Sequence, residues 1–152
     1  MEVGNLVPEF SMATTGGHEM LLKSFRGKKV VLYFYPKDST PGCTTEGIEF
    51  NELLSEFRKA GAEVFGISRD TLSSHDKFRE KFGFKFDLLA DTDEKLCKIF
   101  DVIKEKNMYG KKVMGIERST FVIDKNGRLA GEFRKIKAEG HARQMLDFVR
   151  GL

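Results

Sequence analysis

Seven consecutive residues, Lys29-Val30-Val31-Leu32-Tyr33-Phe34-Tyr35, limit what this chain can fold into more than any other stretch. After the lysine every side chain is β-branched, aliphatic or aromatic. A strand with one wet face alternates apolar with polar; an unbroken run predicts a strand covered on both faces. Pro36 stops it, since proline cannot continue a strand ladder, and Pro41-Gly42 interrupts the chain again. Ile48, Phe50, Leu53, Leu54 and Phe57 then recur near the helical period, so a helix is expected from about Thr44 to the Ala60-Gly61 stop.

The same reading carries down the chain. Val64 to Ser68 is a second buried strand, Ser74 to Phe82 a helix capped by Ser73 or Ser74, and Phe86 to Leu89 a short strand. Asp93 can cap a short helix bearing Leu96, Ile99 and Phe100. Residues 102–115 read as a loop. Ser119 to Asp124 and Leu129 to Arg134 flank Asn126-Gly127, a hairpin signal in which both turn residues take positive φ. Glu139 to Arg150 is the last helix. Early strand–helix–strand crossovers imply parallel strands and the hairpin adds an antiparallel edge, so an α/β domain with a central mixed sheet between helices is expected. Residues 1–152 read as one domain with an irregular N-terminal extension.

Bulk properties exclude several functions. The chain is 40% hydrophobic and 32% charged, a balance that suits a globular core. Its 26 basic and 23 acidic residues leave +3, with only short basic clusters such as Lys111-Lys112 and Lys135-Ile136-Lys137. No nucleic-acid partner is therefore expected. No run reaches the ~18 apolar residues of a membrane span, and Met1 to Gly4 does not start a secretory signal. Two cysteines are too few for a disulfide framework, which points to a reducing cytoplasm.

Cys43 follows a buried strand and a Pro-Gly turn, at the start of a helix. Only a thiolate is a strong nucleophile, and an ordinary thiol is about 3% ionised at pH 7. A helix N-terminus contributes at most ~2 kcal/mol toward ionisation, whereas a shift of about 2.5 pKa units requires about 3.4 kcal/mol. The dipole therefore falls short, and a cation or aimed donors must supply the rest. Thr40 carries a hydroxyl on the same loop, and Gly42 allows backbone N–H groups to approach a bound oxygen closely.

The residues Pro36-Lys37-Asp38-Ser39-Thr40-Pro41-Gly42-Cys43 match the PxxxTxxC active-site motif of peroxiredoxins. The longer string from Phe34 to Glu46 resembles the Q-type subfamily, the bacterioferritin comigratory proteins. Gly66-Ile67-Ser68 and Phe121 to Asp124 sit where that family has its later core strands. The resemblance implies a thioredoxin-like fold and a thiol peroxidase without metal or organic cofactor. In it the Cys43 thiolate attacks a hydroperoxide and becomes a sulfenic acid. It also implies the missing cation: Arg118 matches an arginine at the start of a late core strand. Thr40 and Arg118 would hold the peroxide oxygens, with Pro36 and Gly42 shaping the loop.

This chain departs from the subfamily in one respect. Where many members carry a resolving cysteine five residues after the first, Ile48 stands, and Asp76 to Glu80 offers none on the following helix. Cys97 remains, on the face of Leu96, Ile99 and Phe100, either a packed small hydrophobe or a late resolving thiol. The expectation is one-cysteine chemistry with thioredoxin, glutaredoxin or glutathione as external reductant, in a monomer; atypical two-cysteine chemistry through Cys97 is the alternative. A Cys-x-x-Cys oxidoreductase is disfavoured because position 46 is Glu46. A non-enzymatic thioredoxin-like chaperone or binding module is the reading from a different class.

Other constellations carry less. His18, His75 and His141 are too dispersed in sequence for a metal site. Asp91-Thr92-Asp93-Glu94 lacks the glycine and final glutamate of a calcium loop and reads as helix capping. Phe78, Phe82, Phe84 and Phe86 read as core.

Overall fold

The computed structural model describes all 152 residues. Strand β3 (Lys29–Phe34) lies inside a seven-stranded sheet of order β2-β1-β5-β4-β3-β8-β9. The other strands of that sheet are β1 (Ser11–Thr14), β2 (His18–Leu21), β4 (Ala62–Ser68), β5 (Asp87–Ala90), β8 (Ser119–Ile123) and β9 (Leu129–Phe133). β3, β4 and β5 run parallel, β8 pairs antiparallel with β3, and β9 closes that side. The predicted mixed sheet is present, with every residue of β3 buried.

Successive side chains of β3 point to opposite faces, and each face has its own core. Val31, Tyr33 and Tyr35 pack with Phe50, Phe57, Phe78, Met145 and Val149. Those partners come from α1 (Pro41–Glu52), α2 (Leu54–Lys59), α3 (Leu72–Phe82) and α5 (His141–Arg150). Val30, Leu32 and Phe34 pack on the other side with Leu96, Cys97 and Phe100, on and just after α4 (Lys95–Ile99). The phenylalanine cluster is core: Phe78, Phe84 and Phe86 are buried and meet edge-on or stacked.

Several local expectations change. The first helix begins at Pro41 and breaks at Leu53 into α1 and α2. α3 starts earlier than its serines suggest, because Thr71 is the cap and its hydroxyl accepts from Ser74 N–H at 3.2 Å. Asp93 accepts from Lys95 N–H at 3.3 Å as expected, but Asp91 shares the start of α4, accepting from Leu96 and Cys97 N–H at 3.0 and 2.8 Å. In the turn between β8 and β9 only Gly127 has positive φ, because the connection between Ile123 and Leu129 is longer than two residues. The N-terminal stretch is irregular only up to residue 10; beyond it β1 and β2 form a hairpin that joins β5.

Residues 102–115 are not a loop. β6 (Ile103–Met108) and β7 (Lys111–Ile116) pair as a separate arm around Tyr109-Gly110, both at positive φ. Its residues are mostly exposed on both faces, so no apolar alternation marks them as strands. The base of the arm is pinned where Glu117 N–H donates to Val102 C=O at 2.8 Å, between the buried Val102 and Ile116.

Lys29 shows how the layers are tied. Its buried ammonium donates to Ala60 C=O at 3.1 Å and Val149 C=O at 3.0 Å. It thereby caps the ends of α2 and α5 together. Lys29→Met keeps the apolar stem but leaves both carbonyls without this donor. It should destabilise the fold by about 2 kcal/mol, read by urea unfolding.

Candidate active site

Cys43 is the third residue of α1, 2% exposed. The helix starts where it does because Pro41 fits a first helical turn and gives no N–H to satisfy. The first helical bond is Thr44 N–H to Thr40 C=O, which leaves the Gly42 and Cys43 N–H groups without intramolecular partners. They lie at the positive end of the helix dipole, beside the sulfur.

Sheet register delivers the cation. Phe34 pairs with Ser119, so Arg118 enters at the same end of the sheet as the loop after β3. Its Nη2 lies 3.4 Å from Cys43 Sγ, and its Nη1 donates to Glu46 Oε1 at 2.5 Å. Gly42 makes room for this contact: a Cβ there would sit 3.2 Å from Arg118 Nη2. Pro36 follows Tyr35, whose N–H still bonds Ile67 C=O at 3.0 Å, so the strand is held up to the proline.

Thr40 is the residue before α1, but its hydroxyl does not cap the helix. It donates to Lys37 C=O at 2.8 Å and makes no hydrogen bond to Cys43. With its proton committed, that oxygen can only accept, whereas Arg118 and the two free N–H groups can only donate. A hydroperoxide needs both kinds of partner, an acceptor for its O–H and donors for its oxygens.

Glu46 is the site residue that sequence reasoning misses, taking position 46 only as the place of an absent second cysteine. The signal is its spacing: three residues on from Cys43 on a helix, the two side chains share a face. Glu46 is fully buried, and its Oε2 has no partner. Burial pushes its carboxyl up to about 7, even though Arg118 pulls the other way. Burial also works against the Arg118 charge, but Glu46 and Cys43 beside it keep the guanidinium above its ordinary range. Lys106, reaching in from β6, is lowered, by burial first and then by the Arg118 charge.

Cys97 lies elsewhere. It belongs to the core on the far side of the sheet from Cys43 and is fully buried. Burial, and then the neighbouring Asp91, push its thiol far above the ordinary range.

Of the three histidines, His75 meets acidic groups, with ligand atoms of Asp38, Asp70 and His75 within 4.8 Å of one another. Each is already engaged. Tyr35 and Ser74 hydroxyls donate to Asp38 at 2.6 and 2.8 Å, and Asp38 N–H and the Ser68 hydroxyl donate to Asp70 at 2.9 and 2.5 Å. His75 Nδ1 lies 2.7 Å from Asp38 Oδ2, a hydrogen-bond distance. The cluster is a hydrogen-bonded network in which both oxygens of Asp38 and Oδ2 of Asp70 already have donors.

Glu46 links the site to stability. Folded, it keeps its proton to about 7, whereas an unfolded glutamate loses it near 4.5. Between these values the folded state binds more protons, so this group's contribution falls as pH rises. Urea unfolding of wild type and Glu46→Gln at about pH 5 and about pH 8 should show wild type losing on the order of 2 kcal/mol relative to the variant.

A family model described as the AhpC/TSA family matches residues 3–131. The peroxiredoxin Bcp of Xanthomonas campestris is 55% identical over 138 residues, covering 91% of this chain and 86% of that protein. A structure of the Xanthomonas campestris bacterioferritin comigratory protein, described for its alkyl peroxide reduction activity, superposes with TM-score 0.89 at 53% identity, over 93% of this chain and 90% of its own. A Xylella fastidiosa PrxQ mutant superposes with TM-score 0.95 at 44% identity, over 99% and 96% of the two chains. With the fold, the Cys43–Arg118 contact and these relatives in agreement, the chain belongs to the AhpC/TSA family, as a thiol peroxidase of the Q-type peroxiredoxins.

Proposed function

We propose that residues 1–152 act as one domain in which Cys43 reduces hydroperoxides, hydrogen peroxide and alkyl hydroperoxides alike, and is restored by an external thiol. The observation that carries this is the 3.4 Å contact between Arg118 Nη2 and Cys43 Sγ. It supplies the cation that a helix N-terminus lacks.

In the first step the Cys43 thiolate attacks the oxygen of ROOH that bears hydrogen. The S–O bond forms as the O–O bond breaks, the electron pair leaves on RO⁻, and a proton from solvent gives ROH and Cys43–SOH. Arg118 and the Gly42 and Cys43 N–H groups stabilise charge moving onto the leaving oxygen, while Thr40 Oγ1 accepts the peroxide O–H. Next a donor thiol R′SH displaces water to give a mixed disulfide, and a second R′SH releases the Cys43 thiol and R′SSR′. Thioredoxin, glutaredoxin and glutathione all supply such thiols, and a reducing cytoplasm would keep them charged.

One-cysteine behaviour is supported by where Cys97 sits. The sheet separates the two thiols, and a buried thiol that holds its proton is a poor nucleophile. Position 48, an exposed isoleucine, offers no substitute. We also propose a monomer. Away from the termini and Ile48, the exposed large apolar side chains are Met108, Tyr109, Val113 and Met114, all on one arm. Four side chains confined to one arm make no broad apolar face of the kind that obligate interfaces bury. No helix is long and apolar enough to cross a membrane.

Stopped-flow mixing of the reduced protein with hydrogen peroxide tests the central claim: Cys43→Ser should abolish the reaction, and Arg118→Ala should slow it about 100-fold. A Cys43→Ser variant that keeps full activity would sink it. Non-reducing mass spectrometry after one equivalent of peroxide tests the one-cysteine reading. Cys43 should carry a sulfenic acid or a mixed disulfide, and a Cys43–Cys97 bond would overturn it.

A further inference from the structure

Asp38 lies inside the loop that carries Thr40 and Cys43, yet it is buried. Its N–H donates to Asp70, its Oδ1 accepts from Tyr35 Oη, and its Oδ2 accepts from Ser74 Oγ and faces His75 Nδ1. His75 is fully buried on α3, and its other nitrogen, Nε2, lies 2.9 Å from Leu89 C=O on β5. One side chain thus joins the Cys43 loop to a helix and a strand.

Hydrogen counting fixes what the pair must hold. Leu89 C=O can only accept, so His75 Nε2 carries a proton. Nδ1 and Asp38 Oδ2 are 2.7 Å apart. At that separation they cannot both present lone pairs, so a proton lies between them as well. The contact is a charge-shared bond in a dry site, among the stronger kinds of hydrogen bond. Ser74 Oγ and Tyr35 Oη donate into the same carboxylate, and Asp70 anchors the adjoining backbone.

The residue after Asp38 shows what this bond works against. Ser39 has φ +63, a conformation that side chains other than glycine rarely adopt and that persists only where its surroundings over-determine it. Thr40, Pro41, Gly42 and Cys43 follow directly. Two steps of the reaction ask opposite things of this turn. Peroxide attack needs it closed, with Cys43 against Arg118; a bulky thiol reaches the buried sulfur only when it opens.

We propose that His75 and Asp38 are positioning residues for Cys43, a latch whose strength sets how often the 36–43 loop opens. The inference rests on the peroxidase reading above, but the latch itself can be measured without peroxide.

Two substitutions of His75 separate this role from simple packing. In His75→Asn the amide nitrogen falls near the former Nδ1 and can still donate to Asp38; in His75→Gln it falls near Nε2, keeps Leu89 and abandons Asp38. Both lose the ring. With His75→Gln, amide hydrogen exchange across residues 39–45 should rise about tenfold, and the reaction of reduced protein with hydrogen peroxide should slow about tenfold. Capture of the Cys43 sulfenic acid by glutathione should become faster. His75→Asn should stay within about threefold of wild type in all three. If the two variants behave alike, or if the peroxide and glutathione steps slow together, the latch is wrong. Should His75→Gln fail to fold, Tyr35→Phe weakens the same carboxylate from its other oxygen. Exchange across 39–45 should then rise severalfold, and no rise overturns the proposal. A wild type that meets peroxide no faster than free cysteine defeats the peroxidase reading instead, and the exchange comparison still decides the latch.

Discussion

The site depends on β3 being paired on both edges and covered on both faces. Pairing with β8 in the Phe34–Ser119 register puts Arg118 beside the chain that has just left β3. Pairing with β4 extends to Tyr35, so the strand is held until Pro36 turns it out. Slip the β8 register by one residue and Arg118 would point to the other side of the sheet. The position of a guanidinium over a sulfur thus follows from strand pairing that began with an unbroken apolar run.

Within that frame the site holds one cation between two groups that can be anionic. A fully charged Glu46 would satisfy Arg118 and leave less of its field for Cys43. Burial opposes that outcome, since a carboxylate with one oxygen unpartnered is costly in a dry place. With its carboxyl pushed up by burial, Glu46 neutralises less of the Arg118 charge, while the hydrogen bond still aims the guanidinium toward Cys43 Sγ. Gly42 completes the arrangement from the backbone side, because any side chain there would crowd the guanidinium.

Much of this was legible from the chain. The central strands, the α3 and α5 helices and the setting of Cys43 are all strong periodic or positional signals, and Arg118, named only through a motif resemblance, lies 3.4 Å from Cys43 Sγ. What was not legible falls into two kinds. The arm of β6 and β7 and the N-terminal hairpin have weak alternation, so pairing rather than pattern makes them strands. Glu46 and His75 are ordinary residues in sequence. Their roles arise from burial and from partners as far as 72 positions away, which no local window contains.

The arm has a consequence of its own. Only Glu117 separates β7 from Arg118, so a swinging arm could drag the guanidinium with it. The Glu117–Val102 bond, closed between two buried side chains, stops that lever at its fulcrum. Beyond this point the ladder pairs with no strand of the main sheet. Lengthening or shortening the arm at its Tyr109-Gly110 tip therefore leaves Arg118 where it is, whereas a change of charge at Lys106, which feels both Arg118 and Cys43, would reach the chemistry beneath.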